Sequence, residues 1–155
     1  MTNLKITDEK AREMYPSASP FEKMVLEQSF PDGFFNQSII DRTPTVEAAL
    51  AIAGKTIAGL TRPDDAPHET AGRIIETVIE VLNEGVEVDH SDSDQTKWEP
   101  RFIYKAGLGL RFDLYAYWDT ITGCGPRLCY LSYEKMIHGV KILESYYSAY
   151  LNKKK

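Results

Sequence analysis

The chain has 155 residues, 43% of them hydrophobic and 26% charged, with a net charge of −5. Those proportions belong to a folded globular protein and exclude a disordered or low-complexity chain; the length suits one domain that buries roughly 70% of the surface exposed on unfolding. No apolar run approaches the ~18 residues that span a bilayer, and the first sixteen residues carry no signal-peptide core, so a cytoplasmic location with no membrane contact is expected.

Charge divides along the chain. Residues 1–96 hold 8 basic against 18 acidic side chains, and residues 97–155 hold 10 against 5. The basic part can face an anionic partner or pack against the acidic part of the same chain.

In chain order, residues 7–15 predict a short helix capped by Thr7 or Asp8 and stopped by Pro16. Ser19-Pro20-Phe21-Glu22 is a capping box with proline at the first helical position, and Phe21, Met24 and Val25 continue one apolar face. Phe30-Pro31-Asp32-Gly33 reads as a turn. Thr43 or Thr45 opens a helix through Val46–Ala53, closed by Gly54. Residues 55–67 read as a loop. A helix over 68–84 carries the strongest stripe, Ile74, Ile75, Val78, Ile79, Val81 and Leu82, with Gly85 just past its end. Residues 89–94 read as a polar loop.

Beyond it the period changes to two. Leu110, Phe112, Leu114, Ala116 and Trp118 alternate with Arg111, Asp113, Tyr115 and Tyr117, which predicts a half-buried strand. Arg101–Lys105 and Arg127–Leu131 read as its neighbours, giving a three-stranded antiparallel meander within 97–132. Ser132 then caps a helix over 133–151, with the Lys153–Lys155 tail at the negative end of its dipole. The expected fold is one α+β domain: N-terminal helices over 1–85, a small antiparallel sheet, and a C-terminal helix packed on it.

The chemistry-bearing residues are few. Cys124, Cys129, His90 and His138 do not follow zinc-finger spacing, and the acidic run at 89–94 lacks the glycine and distal glutamate of a calcium loop, so no metal and no cofactor are expected. Cys124 and Cys129 read as reduced thiols, which suits the cytosol. No catalytic serine motif is present, and Gly107-Leu108-Gly109 precedes a strand where a phosphate loop would precede a helix. What stands out is aromatic. Seven aromatic residues fall between Trp98 and Trp118 inclusive. By alternation Arg111, Tyr115 and Tyr117 share one sheet face, with Trp98, Arg101 and Arg127 on neighbouring strands. That face reads either as a platform for stacking bases, its guanidinium on phosphate, or as a second core layer.

Five segments together carry a resemblance. They are Tyr15-Pro16-Ser17-Ala18, Asp41-Arg42 with Thr45-Val46-Glu47-Ala48, and Val81-Leu82-Asn83-Glu84-Gly85, followed by Lys97-Trp98-Glu99-Pro100-Arg101-Phe102 and Gly125-Pro126-Arg127-Leu128-Cys129-Tyr130. In these the chain resembles a family of small proteins encoded by phages and other mobile elements of gut Bacteroidetes, with Pro126 standing where serine is usual. The resemblance implies a bacterial cell as the setting and no particular reaction. The leading expectation is a non-enzymatic accessory protein that binds a macromolecule, either protein or nucleic acid, or a nucleotide. A structural protein acting as a homo-oligomer is the alternative, and a small enzyme using Cys129 or His138 the third reading.

Overall fold

The computed structural model describes residues 6–120 and 125–151. Cys124 and the Lys153–Lys155 tail lie outside them. Contacts group the chain into two compact units, Met1–Ser38 and Ile39–Lys155. The architecture is α+β, with helices before and after a two-stranded antiparallel sheet. Among the described residues no helix is long and apolar enough to cross a membrane.

In the smaller unit, α1 (Asp8–Met14) starts on the Thr7 side chain, which accepts from the Lys10 amide. Helix α2 (Pro20–Ser29) starts on the expected capping box: the Ser19 hydroxyl accepts from the Glu22 amide, and the Glu22 carboxylate accepts from the Ser19 amide at 2.8 Å. The α2 face that enters the core differs from the expected one. Leu26 is buried with Ala11 and Phe34, whereas Phe21, Met24 and Val25 are exposed. The cause lies after the helix. Gly33 at φ +76° lets the chain fold back, and a ring cluster of Tyr15, Phe30, Phe34 and Phe35 forms over the Leu26 side. Tyr15 stacks on Phe35 at 4.1 Å and Phe30 on Phe34 at 4.5 Å.

The capping box also predicts a titration. Hydrogen bonds from the Ser19 hydroxyl and then the Ser19 amide hold the Glu22 carboxyl below its ordinary value. A depressed acid contributes fully above its unfolded value, and the contribution fades as pH falls through the lower folded one. Ser19→Ala is expected to move the Glu22 midpoint up toward the ordinary value in a carboxyl-carbon NMR titration; an unmoved midpoint would contradict the cap.

The larger unit opens with two short helices, α3 (Ile39–Arg42) and α4 (Val46–Ile52), the latter capped by the Thr45 hydroxyl on the Ala48 amide at 3.2 Å. A one-turn helix, α5 (Ile57–Leu60), sits where the sequence reads as loop, started by Thr56 accepting from the Gly59 amide at 3.1 Å. Helix α6 (Pro67–Leu82) is the centre of the unit. Its whole predicted stripe is buried, with Ala71 and Gly72 added. Val46, Ala49 and Leu50 of α4 join the same core. Tyr147 joins it from α8 (Glu144–Leu151), which follows α7 (Tyr133–Ile142). Gly72 lets α8 pack close on α6, since a β-carbon there would stand 3.1 Å from the Tyr150 ring.

The sheet is a hairpin of β1 (Lys97–Lys105) and β2 (Gly109–Trp118). The expected third strand does not form. Pro126–Leu128 is a single 3-10 turn entered through Gly125 at φ +80°, because Pro126 has a fixed φ and no amide to give a ladder. None of the expected pairing with β2 is present among the described residues; the segment instead makes one bridge to β1, in which Trp98 and Tyr130 exchange amide-to-carbonyl bonds of 2.8 and 2.9 Å. The single expected C-terminal helix is divided as well. At Leu143 the backbone (φ −98°, ψ 9°) leaves the helical region, separating α7 from α8.

Candidate functional site

The hairpin turns at Gly107 and Gly109, both at positive φ, which glycine adopts without strain. Its two strands pair from Lys97↔Trp118 to Lys105↔Gly109, with one register shift: Arg101 faces Leu114 and Phe102 faces Phe112, leaving Asp113 as an extra residue in β2. Such a bulge breaks the alternation of the strand that carries it. Residues directly opposite each other share a face. Leu110 and Phe112 therefore go with Tyr104 and Phe102, while Leu114, Ala116 and Trp118 go with Arg101, Glu99 and Lys97. The five even positions, which alternation places together, fall on two faces.

The same shift separates the expected stacking set. Tyr115 and Tyr117 oppose Pro100 and Trp98, whereas Arg111 opposes Ile103, a position of the other parity on an unbroken β1. Arg111 is instead 3.7 Å from Glu144 at the start of α8. Arg101 opposes Leu114 and is exposed. Arg127 sits in the 3-10 turn, 3.9 Å from Glu76 of α6. A shared face of Arg111, Tyr115 and Tyr117 is thus corrected, and the bulge at Asp113 is the reason.

What the fold does bring together is aromatic. Trp98 has Tyr115 at 5.2 Å, Tyr117 at 5.4 Å and Tyr133 at 5.4 Å between ring centres, and Tyr115 meets Tyr133 at 5.0 Å. These are tilted and edge-to-face contacts in the range aromatic pairs prefer. The cluster is a second surface layer with one side open, since Tyr115, Tyr117 and Tyr133 all remain exposed, Tyr117 by 62%. Tyr133 is absent from the sequence-based set. Its one signal is position: it directly follows the cap residue Ser132, whose hydroxyl accepts from the Lys135 amide at 3.2 Å, and so begins α7.

Further apolar side chains continue along the hairpin. Ile103, Tyr104, Leu108 and Leu114 are exposed, Tyr104 by 70%. With only two strands in the sheet, and one bridge from Tyr130, most backbone groups on both outer edges have no strand beside them among the described residues. Charge around the cluster is largely engaged. Lys97 is buried, donating to the Asp92 and Asp119 carbonyls at 2.6 Å each, and Lys135 pairs with Glu84 at 2.5 Å.

The two candidate nucleophile-chemistry residues are held structurally. Cys129 is completely buried, its thiol within 3.4 Å of Glu99 and 3.2 Å of the Gly125 carbonyl. His138 donates from Nε2 to the Thr43 carbonyl at 2.7 Å, since a carbonyl can only accept. No protein family, curated protein or solved structure was found to match this chain.

Proposed function

We propose that the chain is a non-enzymatic accessory protein of a phage or mobile element that works in the bacterial cytoplasm by binding a protein partner through its β-hairpin. The origin and setting rest on the sequence resemblance. The observation that carries the binding mode is the open aromatic cluster of Trp98, Tyr115, Tyr117 and Tyr133. Tryptophan and tyrosine are the side chains that most often anchor protein interfaces, because they bury large rigid areas and keep a polar tip. Exposed Tyr104, of the same parity on β1 as Trp98, extends that surface, and the open strand edges offer backbone bonds to an added strand.

A nucleic-acid partner fits less well. Base stacking needs cations tracking the phosphates beside the rings. Here Arg111 leans to Glu144, Arg127 to Glu76 and Lys135 to Glu84.

The test compares tagged wild type with a Tyr115→Ala/Tyr117→Ala double variant as baits in nuclease-treated lysate of the encoding cells. A partner held by wild type and reduced at least tenfold with the variant is expected, since one interface anchor is worth about 2 kcal/mol. Circular dichroism should show the same helix content in both. Equal capture by the two baits would contradict the reading. Tryptophan emission titrated with single-stranded DNA separates the alternative: saturable quenching that weakens as salt rises would move the assignment to nucleic acid.

A further inference from the structure

On the buried side of the Trp98–Tyr130 bridge lies a second constellation. The antiparallel bridge makes Glu99 and Cys129 cross-strand neighbours, one residue on from the paired positions. Both are buried, Glu99 being only 6% exposed. The segment between α6 and β1 adds His90. One ligand atom from each of His90, Glu99 and Cys129 lies within 4.8 Å of the other two. Linear spacing conceals this set, because its members come from a loop, a strand and the bridge segment, and Glu99 belongs to no metal motif.

A second observation points the same way. The Nε2 atom of His90 is shielded from solvent and has no hydrogen-bond partner. An imidazole nitrogen without a partner in a dry site is costly, and such groups call for an explanation in a ligand or ion. The surroundings are braced. Asp89 Oδ1 accepts from the Ser91 amide and hydroxyl at 2.8 and 2.6 Å, and Gln95 ties the loop at both ends through the Asp89 amide and the Glu87 carbonyl. On the other side, the buried Asn83 side chain holds the Cys129 carbonyl at 2.9 Å.

We propose that His90, Glu99 and Cys129 form a three-ligand binding site for a divalent transition metal of the zinc class. One imidazole, one carboxylate and one thiolate are the donor types Zn2+ takes, at about 2.0–2.3 Å. A tetrahedron of that size has edges of roughly 3.3–3.6 Å; the Cys129 sulfur and Glu99 carboxylate already stand 3.4 Å apart, so closing the set falls to His90. His90 is the side chain with most room to move, being the only one of the three that is not fully buried. The Cys129 thiol proton leaves to solvent as the metal–sulfur bond forms, and the fourth position takes water. The metal would pin the 85–96 loop and the bridge segment to β1. Nucleophilic chemistry is the poorer reading of the same residues, since a substrate has no approach to a fully buried sulfur.

Co2+ titration of the chelator-treated full chain tests this. One equivalent is expected to bind, with a thiolate-to-cobalt charge-transfer band in the near ultraviolet that excess Zn2+ abolishes. His90→Ala, on a half-exposed loop, should keep its circular dichroism and lose affinity beyond the roughly 10–100-fold that removing an outer-shell partner costs. Cys129→Ser should lose the band; where that variant fails to fold, His90→Ala decides alone. Absence of a thiolate band in wild type, or affinity undiminished in His90→Ala, would overturn the site.

Discussion

Gly139→Ala is expected to destabilise the larger unit by about 2–3 kcal/mol, with a fall in melting midpoint on the order of 10 °C. Taken as an isolated helix position, the change should do the opposite, since alanine is better than glycine in a helix interior by about 1 kcal/mol. The reversal comes from Tyr130. A β-carbon at 139 would stand 2.5 Å from both Cε1 and the hydroxyl oxygen of that ring. The ring has nowhere to retreat. Tyr130 is 0% exposed, its backbone is bonded twice to Trp98, and its hydroxyl lies 3.0 Å from that of Tyr147. Relief of the clash therefore means moving α7 or breaking the tyrosine pair. Thermal and urea denaturation would read the effect, and a variant as stable as wild type would mean that Tyr130 is not seated against α7.

Asn83→Ala should be comparably severe, at roughly 2–4 kcal/mol. The Asn83 side chain, 3% exposed, donates to the Cys129 carbonyl and accepts from the Leu131 amide, both at 2.9 Å. Its loss takes a hydrogen bond from each of two backbone groups, and a buried group left unsatisfied costs about 1–3 kcal/mol. Asn83→Asp keeps the acceptor for Leu131 but sets a carboxylate oxygen against the Cys129 carbonyl, so it should be no milder. Because this amide fastens the bridge segment to the end of α6, its removal should also speed alkylation of Cys129, followed by peptide mass. Unchanged stability together with unchanged alkylation would show that the segment is held by other contacts.

Much of the helical layout was legible because its signals act over three or four residues. Thr7, Ser19, Thr45 and Ser132 each cap the helix expected of them. The α6 stripe was legible for the same reason, a strong period within one element. Short helices such as α5 escaped because a single turn has no period to show. Other features depend on partners far along the chain. The bulge at Asp113 exists only in the pairing of β2 with β1, and it alone decides that Arg111 and the tyrosines part company. Tyr133 reaches Trp98 across 35 positions of sequence. His90, Glu99 and Cys129 meet because the Tyr130 segment bridges to β1, where a strand beside β2 was expected. In the smaller unit, four aromatic rings decide which α2 face is core, and helical spacing alone could not rank Leu26 above Phe21.

The binding reading can be tested most directly by photo-cross-linking from the hairpin itself. Replacing Tyr117 by benzoylphenylalanine puts the reactive group on the open side of the aromatic cluster, and the same replacement at Glu76 on α6 serves as a control. Irradiation in the encoding cells should give a discrete protein adduct from position 117 that is missing from position 76. Adducts of nucleic acid alone, or the same adduct pattern from both positions, would contradict a protein-binding hairpin.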